Sequence, residues 1–186
     1  MLLSQSAQEA LRPHRDFTDH QLVYFRLVPS EAAILSMDEV RIDNGLPRTF
    51  RRERFHLTLV PLGDIRLISA ETMKRILLAA QSLEAEPFPL AFYRLDGNVL
   101  RGKGMTAAKD FQHALVRRLE ALDVPMPDYD FDPHVSLAYT EWRQRNVAID
   151  PIGWTANEFT LVNSIHGKGP ASLGGWPLVK RQGELF

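Results

Sequence analysis

The sequence carries one short pattern twice. Phe55-His56-Leu57-Thr58-Leu59 and Pro133-His134-Val135-Ser136-Leu137 both run histidine, apolar residue, hydroxyl residue, apolar residue. Alternation with a period of two is the signature of a strand, whose successive side chains point to opposite faces. Such a strand puts His56 and Thr58 on one face and Leu57 and Leu59 on the other. It does the same with His134 and Ser136 against Val135 and Leu137. The aliphatic set must be buried, so each imidazole stands with its hydroxyl on the open face. Two such strands, one in each half of the 186-residue chain, point to two lobes facing each other across a cleft.

The remaining chain supplies more strands and a few helices. LVYFRLV (Leu22–Val28) is rich in β-branched and aromatic residues and predicts a strand, with Tyr24 and Arg26 on one face, either lining the cleft or buried as amphipathic sheet residues. Ser30 is positioned to cap a helix running to about Ile42, before Asn44-Gly45 and Pro47 break the chain. A second strand is expected over Arg52–Leu62. Met73, Ile76, Leu77, Ala80 and Leu83 then form a helical stripe that starts from Ser69. Asp96-Gly97-Asn98 is a hairpin turn signal. A helix capped by Thr106 is expected to run to Leu122, with Phe111, Ala114, Leu115 and Leu119 on its apolar face. After a connection rich in Pro and Asp, strands are expected at His134–Thr140 and Asn157–Ile165. The glycine-rich stretch 166–175 predicts a loop, and a last strand is expected from Trp176 onward. Helices set against hairpins make this an α+β fold and not a doubly wound parallel sheet. Residues 1–20 read as a polar N-terminal arm, and 21–186 as a single domain.

Composition narrows the functions open to such a chain. Twenty-two basic residues against 23 acidic ones leave a formal charge of −1, so any nucleic-acid contact has to be local. With no cysteine, disulfides, thiolate metal sites and a cysteine nucleophile are excluded. No run of apolar residues is long enough for a signal peptide or a membrane helix. A cytoplasmic, monomeric protein without membrane attachment is expected.

Two imidazoles and two hydroxyls define a chemistry. Histidine gives and takes protons near neutrality. A facing pair divides that work, one as general base and the other as general acid. Ser and Thr hydroxyls donate to anionic oxygens without carrying charge. The set suits in-line displacement at a phosphodiester with no metal, no cofactor and no covalent intermediate. A cyclic phosphate fits well, because its leaving group stays tethered. The competing class is a non-catalytic RNA- or nucleotide-binding module on the same fold, which has no need of two proton carriers.

The segments ERFHLTLVPLG and FDPHVSLAY resemble the 2H phosphoesterases, in the branch of LigT-like RNA 2′,3′-cyclic phosphodiesterases, also called 2′-5′ RNA ligases. The resemblance extends more loosely over residues 21–182. It implies a bilobal α+β fold with two antiparallel sheets lining a central cleft and helices packed on the outside. It also implies that His56 and His134 form the acid–base pair, that Thr58 and Ser136 bind the phosphate, and that the partners are RNA ends or nucleotide 2′,3′-cyclic phosphates. Ser136 stands where threonine is common in the family, and the hydroxyl is kept.

Several weaker signals surround the motifs. Arg48, Arg51, Arg52 and Arg54 crowd the entry to the first, either as RNA phosphate contacts or as a solvated loop. Arg101 and Lys103 follow the hairpin turn with the same two readings, and the acidic run Asp128, Asp130, Asp132 precedes the second motif. Gly102-Lys103-Gly104 and His166-Gly167-Lys168-Gly169 lack the spacing of a nucleotide-binding loop, though His166 and Lys168 are placed to border the cleft. His14, His20 and His113 read as surface residues, and Trp176 and Phe92 as core residues before base-stacking ones. A metal site would need His56, His134 and Asp130 or Asp132, but no HxH or HxxxH spacing accompanies them.

Overall fold

A computed structural model describes residues 21–140, 146–165 and 168–180. The expected N-terminal arm, His14, His20 and His166 lie outside the described residues. Among the described residues, eight strands and three α-helices follow one another as β1 (Gln21–Leu27), α1 (Glu31–Asp43), β2 (Leu57–Asp64), α2 (Ala70–Gln81), β3 (Phe88–Asp96), β4 (Val99–Gly102), α3 (Thr106–Ala121), β5 (His134–Ser136), β6 (Asn146–Ala156), β7 (Glu158–Ile165) and β8 (Gly169–Pro177). They build two antiparallel four-stranded sheets, ordered β2-β1-β7-β8 and β5-β4-β3-β6. The fold is α+β.

The chain passes between the sheets with little slack. Asn157 alone separates β6 in the second sheet from β7 in the first. Both sheets share one core, in which Phe25, Phe55, Phe92 and Phe159 are fully buried. α3 ties the sheets together through Phe111, whose ring meets Phe88 of the second sheet at 5.4 Å and Phe159 of the first at 5.1 Å. α2 packs against α3, and Arg75 of α2 donates to the carbonyls of Leu122 and Asp123 at the C-terminal end of α3, at 3.1 and 3.0 Å.

Local sequence explains most element ends. Ser30 Oγ accepts from the Ala33 amide at 3.3 Å, and Ser69 Oγ from the Thr72 amide at 3.0 Å, so α1 and α2 have conventional N-caps. α3 does not: its cap is Met105 and makes no side-chain cap bond, which places Thr106 inside the first turn. Packing displaces capping here, because the Met105 side chain fills the space over Gly102.

Four expectations about strands need correction. The segment at 52–54 is a single 3-10 turn, so β2 begins only at Leu57. β5 spans three residues and stops at Ser136. β6 is absent from the sequence-based expectation because Pro151 and Gly153 interrupt it. It lies at the sheet edge beside β3, and its pairing there is irregular: Phe92 faces Ile152 and Arg94 faces Ala148. The glycine-rich loop is in fact β8, and the expected last strand is reduced to Trp176 and Pro177 at its end. A Cβ on Gly174 would lie 2.7 Å from the Trp176 ring. The glycine therefore makes room for an indole that stacks on Phe159 at 5.2 Å and meets Phe25 at 6.0 Å.

Candidate functional site

The two motif strands occupy corresponding places. β2 is an edge strand of one sheet and β5 an edge strand of the other, and the two are in contact. Burial alternates as the pattern requires. Phe55, Leu57 and Leu59 are fully buried while His56 and Thr58 are partly open, and Val135 and Leu137 are fully buried while His134 and Ser136 are partly open.

Each imidazole is held in the same way. His56 Nδ1 is 2.6 Å from the carbonyl oxygen of Arg54, and His134 Nδ1 is 2.7 Å from that of Asp132. A carbonyl only accepts, so Nδ1 carries the hydrogen in both rings and Nε2 is the atom left to exchange protons. The 3-10 turn ending at Arg54 presents the first of these carbonyls, which is why β2 starts one residue after the histidine.

Electrostatics separate the two histidines. Burial is the main cause that lowers His56, to about 4. The nearby charges of Arg26 and His134 push the same way, against the hydrogen bond to Arg54. His134 is lowered too, first by burial and then by Arg101. The His56 ring is further fixed by Tyr24, stacked on it with centroids 5.1 Å apart and 20° between planes. Tyr24 is hydrogen-bonded to Ser164 of β7, and burial raises its pKa.

Arginines frame the site unequally. Arg26 lies directly across the strand pair from Thr58, and its Nε donates to Thr160 Oγ1 of β7 at 3.3 Å. Arg101 lies across from His134 on β4 but is ion-paired to Asp132, with Asp96 also 3.8 Å away. Of the cluster expected before β2, Arg54 is close enough to act on both Tyr24 and Tyr139. Arg48, Arg51 and Arg52 are exposed, and Arg52 sits 3.7 Å from Glu53. Lys168 and His113 are also exposed. Phe92 is fully buried, stacked on Trp154 at 5.3 Å, and Trp176 is half-buried against the core on Phe159, so both serve packing. Among the described residues no three His, Asp or Glu side chains assemble as a metal site.

Three supporting residues escape sequence inspection. Arg41 of α1 is buried, pairs with Asp38, donates to the Phe50 carbonyl, and lies over the Phe55 ring at 5.4 Å from its centroid. It thereby anchors the arginine-rich segment immediately before His56. Tyr139 is hydrogen-bonded to Ser136 and meets the Phe50 ring edge-on at 4.7 Å, which links the two motif segments although Tyr139 is 71% exposed. Asn98 in the hairpin turn accepts from the Leu137 amide with its carbonyl at 2.9 Å and donates from Nδ2 to the Thr140 carbonyl at 3.1 Å. All three lie in segments the sequence marks as helix, turn or motif strand, but none of those signals assigns them a role at the site.

Neither a family model nor a curated protein sequence matches the chain. Solved structures do. Escherichia coli LigT complexed with 3′-AMP superposes with a TM-score of 0.67 at 21% identity, over 86% of this chain and 99% of that one. A crystallised phosphoesterase gives a TM-score of 0.69 at 20% identity, over 86% and 99%. A Thermus thermophilus protein gives 0.60 at 21%, over 84% and 97%. LigT has also been crystallised with phosphate, ATP and NADP+. The two edge-to-edge antiparallel sheets of this chain are therefore the LigT fold.

Proposed function

We propose that this chain is a metal-independent phosphodiesterase that opens the 2′,3′-cyclic phosphate ends of RNA or nucleotides by paired-histidine acid–base catalysis. The observation that carries this is the equivalence of His56 and His134. On adjoining edge strands, each gives Nδ1 to the carbonyl two residues back and keeps Nε2 free, at 2.6 and 2.7 Å. Nucleotide and phosphate complexes of LigT, on the same fold, support the substrate class.

In hydrolysis His56 is the base and His134 the acid. Lowered to about 4, His56 is the member that stays neutral to lower pH, which leaves His134 as the one that carries the proton. Nε2 of His56 takes a proton from water as the water oxygen bonds to phosphorus. The bond from phosphorus to one ribose oxygen breaks, and that oxygen receives the Nε2 proton of His134. Thr58 and Ser136 donate to the non-bridging oxygens as charge builds on them. With a 5′-hydroxyl in place of water, the same displacement joins two RNA ends through a 2′-5′ bond.

Turnover of a nucleoside 2′,3′-cyclic monophosphate is the test. Activity should persist in excess EDTA, and His56→Ala or His134→Ala should each lower it on the order of a hundredfold or more. Loss in EDTA with rescue by a divalent ion overturns metal independence. Near-normal turnover in either variant removes that histidine from the mechanism, and binding without turnover by the unmutated chain identifies a nucleotide-binding module.

A further inference from the structure

We infer that Arg26 is a third phosphate ligand of this site: its guanidinium binds a non-bridging oxygen of the reacting phosphate, beside the Thr58 hydroxyl. The inference deepens the function proposed above and takes its phosphate chemistry from it, but it stands on geometry of its own.

Arg26 occupies the middle of a row across the first sheet. Thr58 of β2 is its register partner on one side and Thr160 of β7 on the other. Side chains directly opposite one another on antiparallel strands share a face and stand within contact range. Arg26 thus lies on the face that carries His56 and Thr58, next to the Tyr24 ring that stacks on His56. Thr160 Oγ1 holds Nε, which fixes the plane of the guanidinium. Nη1 is buried and has no hydrogen-bond partner among the described residues. A buried donor on a charged group that goes unsatisfied is costly to keep. Planar donors of this kind match the oxygens of a phosphate.

Arg101 provides an internal control. It stands beside the second motif as Arg26 stands beside the first, yet its charge is neutralised in place by Asp132 and Asp96. The first sheet gives Arg26 a hydroxyl and a tyrosine as near neighbours, and the carboxylate that acts on it is Glu158. What sets Arg26 apart is that its unpartnered nitrogen belongs to a side chain on the face of His56 and Thr58.

Inorganic phosphate is the probe, because its binding does not depend on turnover. Phosphate should raise the melting temperature of the unmutated chain, and Arg26→Gln should weaken its dissociation constant tenfold or more. Arg26→Lys should recover part of that loss by restoring the charge without the fork. Without phosphate, Arg26→Gln should melt no lower than the parent, since it removes a charged group with one unsatisfied buried nitrogen. A structural role predicts the reverse: a lower melting temperature with phosphate affinity unchanged. Unchanged affinity in both variants, or no phosphate protection of the parent, overturns the inference. Turnover of cyclic phosphate with Arg26-independent phosphate binding would sink the ligand role while leaving the phosphodiesterase intact. Arg26-dependent phosphate binding without turnover would do the opposite.

Discussion

His56 and His134 each commit one ring nitrogen to the main chain, so the proton chemistry of the proposed reaction falls to two Nε2 atoms whose environments differ. That difference sets a pH dependence. Hydrolysis as proposed needs His56 neutral and His134 protonated. His56 is lowered to about 4, so the acid limb of kcat/KM should fall there, where the base becomes protonated. His134 is lowered below the ordinary histidine value, so the alkaline limb, where the acid loses its proton, should lie below 6.5. The bell should peak on the acid side of neutrality. His56→Gln should remove the acid limb from the residual activity and His134→Gln the alkaline one. A profile centred above pH 7, or the two limbs exchanged between the variants, refutes the assignment. This asymmetry was not legible in the sequence, where the two motifs look interchangeable. It depends chiefly on the deeper burial of His56, to which Arg26, thirty positions away in the chain, adds. The pairing of histidine with hydroxyl was legible, because period-two alternation needs nothing beyond the strand itself.

Elements were legible where local chemistry fixes them and not where a neighbour does. Ser30 and Ser69 marked helix starts because a hydroxyl cap acts within one turn. β8 and β6 were missed because glycine and proline weaken a strand pattern, while pairing to β7 and β3 supplies what the residues lack. Gly102 shows how tight that pairing becomes beside the site. β4 has only four residues and holds β5, and with it His134 and Ser136, to the rest of its sheet. A Cβ on Gly102 would stand 2.4 Å from the Ala91 carbonyl oxygen and 2.0 Å from the Met105 Cε atom. The methionine end can move, but the carbonyl belongs to β3 and cannot. Gly102→Ala should therefore cost stability at the upper end of the about 1–3 kcal/mol typical of overpacking. It should also lower turnover by displacing β5. Gly174→Ala meets only the Trp176 ring and should cost less, with turnover unchanged. Urea unfolding midpoints and cyclic phosphate turnover of both variants check the order. Equal stability losses would mean that β3 and β4 part more easily than the backbone contact implies.

At the scale of the whole molecule, the proposed function meets a charge distribution that suits holding an end and not a strand. The chain is nearly neutral, with 22 basic and 23 acidic residues. Beside the second motif, Arg101 is spent on Asp132 and Asp96, and Asp128 and Asp130 extend the acidic surroundings. Among the described residues, Arg26 and Arg54 adjoin His56 by the first motif, and Arg48 and Arg51 are exposed further out. Bulk composition pointed to short-range recognition; if RNA is the substrate, the described arginines make that recognition one-sided, because they gather beside β2. Each phosphate neutralised on a single strand contributes a slope of about −0.7 in log affinity against log salt. Two or three such contacts give a total of about −2 or shallower for an oligonucleotide ending in a 2′,3′-cyclic phosphate. Lengthening the oligonucleotide beyond a few nucleotides should leave both the slope and the affinity unchanged. The measurement is a titration of catalytically silent His134→Ala with labelled oligonucleotides of increasing length at several salt concentrations. A slope near −5, or affinity that keeps rising with length, would require an extended basic groove, for which the charges gathered at the edge of β2 are too few.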